Sequence, residues 1–128
     1  MAQIATRQLA DTLVVAPRGR IDHLSAASFE SALTPLLQQA SGGALVLDFS
    51  GVEYISSVGL RVLMIAAEKL RAQQARLVVC SLQTVVAEIF AISRFHRILV
   101  VCPTLSDALE QASAAALAAY RQSPNDAK

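Results

Sequence analysis

LDFSGVEYISSVGLRVLM, from Leu47 to Met64, decides how this chain is organised. Its first residues continue the aliphatic run ALVLDF, Ala44 to Phe49, the pattern of a parallel strand buried on both faces. From Leu60 the apolar residues Leu60, Leu63, Met64, Ala67 and Leu70 recur at helical spacing, with Arg61, Glu68 and Lys69 off that stripe. Between strand and helix stand Ser56, Ser57 and Gly59. A serine before a helix caps it, worth ~1 kcal/mol. Glycine in the first turn instead costs roughly 1 kcal/mol against alanine. Gly59 therefore implies that another group comes close to the backbone there.

The same alternation extends in both directions. Gln3–Gln8 and Thr12–Arg18 read as two strands of a hairpin around Ala10-Asp11. Ser25 then precedes Ala26, Phe29, Ala32, Leu33, Leu36, Leu37 and Ala40, one face of a helix that Ser41 to Gly43 should stop. Pro35 interrupts this helix on the side predicted to face solvent, where a kink is tolerated. ARLVVC and RILVVC, ending at Cys80 and Cys102, are two further parallel-type strands. Ser81 is expected to cap a short helix carrying Val85, Val86, Ile89 and Phe90. Thr104 and Asp107, at capping-box spacing, open a last alanine-rich helix that should run through Tyr120. The expected fold is α/β: a mixed, mostly parallel sheet with an N-terminal hairpin and about four helices. One domain should occupy residues 1–121, with 122–128 as a flexible tail.

Composition narrows the functional classes. Of the 128 residues, 54% are hydrophobic and 16% charged, which excludes a disordered chain and indicates a substantial core. The net charge of +1 gives no reason to expect nucleic acid as a partner. No apolar run approaches the ~20 residues needed to span a bilayer, so no membrane insertion is expected. The N-terminus alternates polar and apolar residues and lacks a signal-peptide core, so the expected location is cytoplasmic. Cys80 and Cys102 each end an aliphatic strand and are expected to be buried, reduced thiols. His23 and His96 lack metal-ligand spacing, so neither metal nor cofactor is expected.

Function in an α/β domain concentrates in the loops beyond the carboxyl ends of parallel strands, where Asp48 to Gly59 lies. Nucleophilic catalysis is a poor match, because Gly-x-Ser-x-Gly is absent and neither histidine has a sequence link to Ser57. A phosphate-binding loop would need several glycines and a lysine. An aspartyl-phosphate receiver would need an acidic pair after the first strand and a lysine after the last, where Cys102-Pro103 stands instead.

The residues LDFSGVEYISSVGLRVL resemble the signature of STAS-domain anti-sigma-factor antagonists, in which Asp-Ser-Ser/Thr-Gly-Leu leads into a helix. GRIDHLSAASFESAL resembles the family's Gly-x-x-Asp segment and first helix, and ARLVVCSLQTVVAEIFAISRFHRILVV its closing strand–helix–strand. The resemblance implies a partner switch rather than an enzyme. The unphosphorylated antagonist binds a serine kinase that doubles as an anti-sigma factor and frees that kinase's client. The kinase then phosphorylates the antagonist, and a PP2C-like phosphatase reverses the modification. Matched residue by residue, the acceptor falls on Ser57, with Gly59-Leu60 as the family's Gly-Leu and Asp22 as its binding-surface acid. Ser56 replaces the family's usual Asp and is the second-choice acceptor; Val58 replaces Ser or Thr. The expected partner surface comprises Asp22, His23, Ser56, Ser57, Val58, Gly59, Arg61 and an exposed Phe95. Ser57 is expected both to cap the helix and to carry the phosphate. The alternative is a STAS subunit of a membrane transporter complex with a structural Ser57. A nucleotide- or small-ligand-binding module has less support, since no glycine-rich loop is present.

Overall fold

The structure is a computed structural model that describes residues 3–40 and 43–122. Strands β1 (Gln3–Leu9) and β2 (Thr12–Ile21) form the expected antiparallel hairpin, from Gln3↔Arg18 to Leu9↔Thr12. Ala10 turns the chain with φ 53°, a left-handed conformation. Helix α1 (Ala26–Gln39) follows and keeps Pro35 inside it, exposed as the apolar stripe requires. The proline lacks the N–H that would bond the carbonyl of Ser31, which lies on the exposed side of the helix. Ser41 and Gly42, expected to stop this helix, lie outside the described residues.

Strands β3 (Ala44–Asp48), β5 (Arg76–Cys80) and β6 (Val100–Cys102) extend the sheet in parallel, giving the order β1-β2-β3-β5-β6. A further strand, β4 (Gly51–Ile55), was not anticipated; it pairs in parallel with β2. Strand β2 is long enough to hold two neighbours on one edge: Thr12–Val15 pairs with β3 and Arg18–Ile21 with β4. The chain changes from one to the other through a tight turn in which Asp48 Oδ1 accepts the Ser50 N–H at 3.0 Å. Between the pairs Gly19↔Val52 and Arg20↔Tyr54 the register shifts by one, leaving Glu53 of β4 as the extra residue, and Gly19 opposite has a φ of 96°.

Alternation along the strands sorts the core into two layers. Leu13, Val15, Leu45, Leu47, Leu77 and Val79 pack against α1, helix α2 (Ser57–Ala72) and helix α3 (Thr84–Ile92). Val14, Val46, Val78 and Cys80 face the opposite layer, built from α4 (Leu105–Ala112) and α5 (Ala114–Arg121). Pure aliphatic faces on both sides are what the continuous apolar strands demanded.

Two helix expectations are corrected. Ser81 takes a left-handed φ of 63° and caps nothing; α3 starts at Thr84 after Gln83, and Val85 is half exposed while Val86 and Phe90 are buried. The alanine-rich helix is two helices, because Ser113 turns extended and its hydroxyl accepts the Ala116 N–H at 3.2 Å. There are thus five α-helices, plus a 3-10 turn at Phe95–Arg97, among the described residues. The Thr104 cap is present, its hydroxyl accepting the Asp107 N–H at 3.1 Å. The tail expected over 122–128 falls, from 123 onward, outside the described residues.

Cys80 and Cys102 are free, buried and in register on adjacent strands. Desolvation pushes the Cys80 thiol up to about 12, while the Ser81 hydrogen bond only partly opposes it; Cys102 is also raised by burial. Neither is a good nucleophile at neutral pH, because the thiolate is the reactive form. In a thiol titration near pH 8, Cys80 should stay unlabelled until denaturant is added. Rapid labelling of Cys80 in the native protein would contradict this core assignment.

Candidate functional site

The junction is assembled where β2 and β4 end side by side. Ile21 and Ile55 are register partners at the ends of these strands, so the segments after them, Asp22–Ser25 and Ser56–Gly59, leave the sheet together. The Ser56 N–H donates to the Ile21 carbonyl at 2.8 Å, extending the ladder one residue beyond β4. Ser56 itself is the helix cap. Its backbone is extended, its carbonyl accepts the Leu60 N–H at 2.9 Å, and its hydroxyl accepts the Gly59 N–H at 3.2 Å.

This corrects the expectation for Ser57. It is the first residue of α2, is exposed, and makes no side-chain hydrogen bond among the described residues. The two adjacent hydroxyls are divided: one is used by the fold and the other is offered to solvent. The N–H groups of Ser57 and Val58 take no acceptor among the described residues, as is usual in a first helical turn.

Gly59 is buried, so its expected place on a partner surface is also corrected. A Cβ there would lie 2.7 Å from Ile55 Cγ1, 2.9 Å from Ile21 Cγ2 and 3.1 Å from the Ile21 carbonyl oxygen. The close approach inferred from sequence is real, but the approaching group is the chain's own strand ends. Phe95 is corrected in the same way. It is 7% exposed and packs edge-on against Phe90, which in turn packs edge-on against Phe49. The 3-10 turn around it carries His96 and Arg97 outward and turns the phenyl ring in.

Asp22 is beside the junction, as expected, but much of its carboxylate is engaged. Oδ1 accepts the N–H groups of Leu24 and Ser25 at 3.0 and 3.1 Å, and Arg20 Nε lies 3.7 Å from Oδ2. Desolvation pushes this carboxyl up; the Leu24 and Ser25 N–H groups, the Ser25 hydroxyl and His23 outweigh it, and the group sits below its ordinary range. Ser25 occupies the cap position of α1 without capping it. Its hydroxyl donates instead to the Arg20 carbonyl at 2.8 Å and accepts the Asp22 N–H at 3.0 Å. The Asp22 turn is thereby fixed to the end of β2.

His23 in this turn, and Val58 and Arg61 at the start of α2, are exposed. Sequence reasoning missed Leu24, which is 81% exposed and, with Arg20, Asp22, Ser25 and Ser28, lines an open depression of about 360 Å³. An isolated leucine in a polar loop just before a helix was the available signal. It also missed the Arg20 side chain, whose guanidinium carbon lies 4.5 Å above the Tyr54 ring. Among the described residues there is no His, Cys, Asp and Glu cluster able to hold a metal.

Two substitutions check this division. Ser56→Ala should lose about 1 kcal/mol of stability in denaturant unfolding, whereas Ser57→Ala should change it by less than about 0.5 kcal/mol. The reverse order would return the cap to Ser57. Gly59→Ala should be destabilising by about 1–2 kcal/mol net, because overpacking against Ile21 and Ile55 exceeds the gain in helix propensity. A stabilised Gly59→Ala protein would show that the contacts at the strand ends are loose.

The STAS domain family model matches residues 3–108, most of the chain. BtrV of Bordetella bronchiseptica, provisionally named an anti-sigma factor antagonist, is 36% identical over 83 residues, covering 65% of this chain and 71% of that protein. The crystal structure of an anti-sigma factor antagonist from Mycobacterium paratuberculosis superposes with a TM-score of 0.76 at 26% identity, over 88% of this chain and 94% of that one. The unphosphorylated form of the anti-sigma factor antagonist SpoIIAA shares the fold, with a TM-score of 0.70 at 15% identity over 85% and 95% of the two chains. With the family model matched over most of its length, the chain belongs to the STAS domain family.

Proposed function

We propose that this protein is an anti-sigma-factor antagonist of a partner-switching pathway, and that Ser57 is its phosphorylation switch. In this reading the unphosphorylated protein binds a serine kinase that also sequesters a client, and frees that client. The observation that carries the reading is the exposed Ser57 hydroxyl, released from structural duty by the Ser56 cap and lying near the Asp22 turn. The names of the relatives support the antagonist role. Among the described residues no helix is long and apolar enough to cross a membrane.

The chemistry asked of the site is modest. The Ser57 Oγ attacks the γ-phosphorus of ATP held by the kinase, forming an O–P bond as the bond to the β-phosphate oxygen breaks. ADP leaves, and the hydroxyl proton passes to a base of the kinase or to water. The protein is the substrate of this step, and a PP2C-like phosphatase would hydrolyse the ester. The uncommitted N–H groups of Ser57 and Val58 suit a phosphate, so the fold accepts it. A partner that had buried the neutral hydroxyl would instead meet a dianion. Against one carboxylate ~5 Å away at an effective dielectric near 20, the repulsion is roughly 6 kcal/mol. Reversing a 99:1 binding equilibrium needs ~5.5 kcal/mol. One phosphate is therefore sufficient.

The remaining surface fits a partner with mixed chemistry. Leu24 and Val58 are exposed apolar side chains on the same two segments as the polar Asp22, His23 and Arg61. We place the contact on these residues, with Gly59 acting only from beneath and the buried Phe95 outside it. The test is incubation with the cognate kinase and ATP, followed by site mapping and binding measurements. One phosphate is expected on Ser57. Ser57→Ala should still bind the unmodified kinase, and Ser57→Asp should bind at least about 100-fold more weakly while folding as well. Phosphate confined to Ser56 would move the acceptor onto the cap. No phosphate, together with unchanged binding by Ser57→Asp, would overturn the switch and favour the transporter-subunit reading.

A further inference from the structure

We propose that Arg61 is the internal receptor for the phosphate on Ser57, so that modification also withdraws this cation from the surface offered to a partner. The proposal deepens the reading of Ser57 as the acceptor and rests on it. Ser57 and Arg61 are four residues apart on α2 and both are exposed. Residues at that spacing are neighbours on one helix face, with Cβ atoms about 6 Å apart. Helical side chains lean toward the N-terminus, which carries the long Arg61 side chain over the turn containing Ser57.

The cation is uncommitted. Arg61 makes no ion pair or side-chain hydrogen bond among the described residues. Its own helix offers it no carboxylate one turn away: the positions three and four residues distant are Ser57, Val58, Met64 and Ile65. Arg20, the other arginine at the junction, is already held between Asp22 and the Tyr54 ring. Lys69 and Arg71 lie in the last turn of α2, the first of them about 12 Å further along the axis. A phosphate on Ser57 thus meets one cation with nothing else to pair with, and a guanidinium can take two of its oxygens at once.

The consequence is a switch with two parts. The dianion repels an acidic or tightly packed partner, and the arginine that such a partner could have paired with turns inward along the helix to meet it. Arg61 is a positioning residue here, since the bond to phosphorus is made and broken elsewhere.

The experiment installs phosphoserine at position 57 of the full chain during translation, so no kinase is needed. The second ionisation of the phosphate is then followed by phosphorus NMR at low salt in the otherwise wild-type protein and in R61Q. The wild-type phosphate should ionise about half a pH unit lower than that of R61Q, and the gap should close as salt approaches about 1 M. His23, Asp22 and Arg20 also surround the junction, so H23Q serves as a control and should leave the R61Q effect intact. Circular dichroism of R61Q should match wild type, because the side chain is exposed. Equal ionisation in wild type and R61Q at low salt would overturn the proposal. Failure of a kinase to modify Ser57 would leave this result standing, and the two claims therefore fail separately.

Discussion

The Ser56 N–H to Ile21 carbonyl bond, 2.8 Å long, is the contact on which the functional end of this molecule depends. It ties the start of α2 to the end of β2 one residue past the β2–β4 pairing. The same carbonyl oxygen then lies where only a glycine at position 59 can pass it closely. Because Gly59 can approach, its N–H reaches the Ser56 hydroxyl and the helix is capped from within. The next residue, Ser57, is left outside at a fixed position. A side chain at position 59 would lift the helix start and with it the presentation of Ser57.

Strand β2 supplies the other half of this constraint. Its ten residues accept β3 and β4 in succession, with an extra residue, Glu53 of β4, adjusting the second pairing opposite Gly19 and Arg20. The Asp22 turn emerges at its end and is fixed by the Ser25 hydroxyl on the Arg20 carbonyl. Asp22 and Ser56 are thereby neighbours through backbone pairing rather than through direct side-chain attraction. Charge around them can change without altering the supports beneath, which is what a reversible modification requires.

Much of this was readable from residue order. The aliphatic runs ending at Asp48 and Cys80 identified central strands, because burial on both faces produces such runs without polar interruption, whereas the run ending at Cys102 became the edge strand β6, with Val100 half exposed. The apolar stripes gave α1 and α2, and the Asp22 and Ser57 positions followed from the signature resemblance. Strand β4 was hidden because GVEYI begins with a turn glycine and alternates over only five residues, the composition of a loop. The serine pair could not be divided by propensity, since both are good caps and the choice depends on a backbone bond to Ile21. Phe95 looked like a surface aromatic among Arg and His; its burial depends on Phe90, five residues earlier, which itself packs on Phe49, distant in sequence. The break at Ser113 was masked by flanking alanines that favour helix on both sides.

The central claim is that Ser56 builds the junction and Ser57 reports through it, so a phosphate alters the surface while the support stays closed. Hydrogen exchange at the Gly59 amide measures this directly, since that N–H is the one capped by Ser56. It should exchange at the same rate or more slowly when Ser57 carries phosphate, and faster in Ser56→Ala. A rise of about tenfold or more on phosphorylation of Ser57, equivalent to about 1.4 kcal/mol of local opening, would contradict the account by showing that the phosphate pulls the helix start apart.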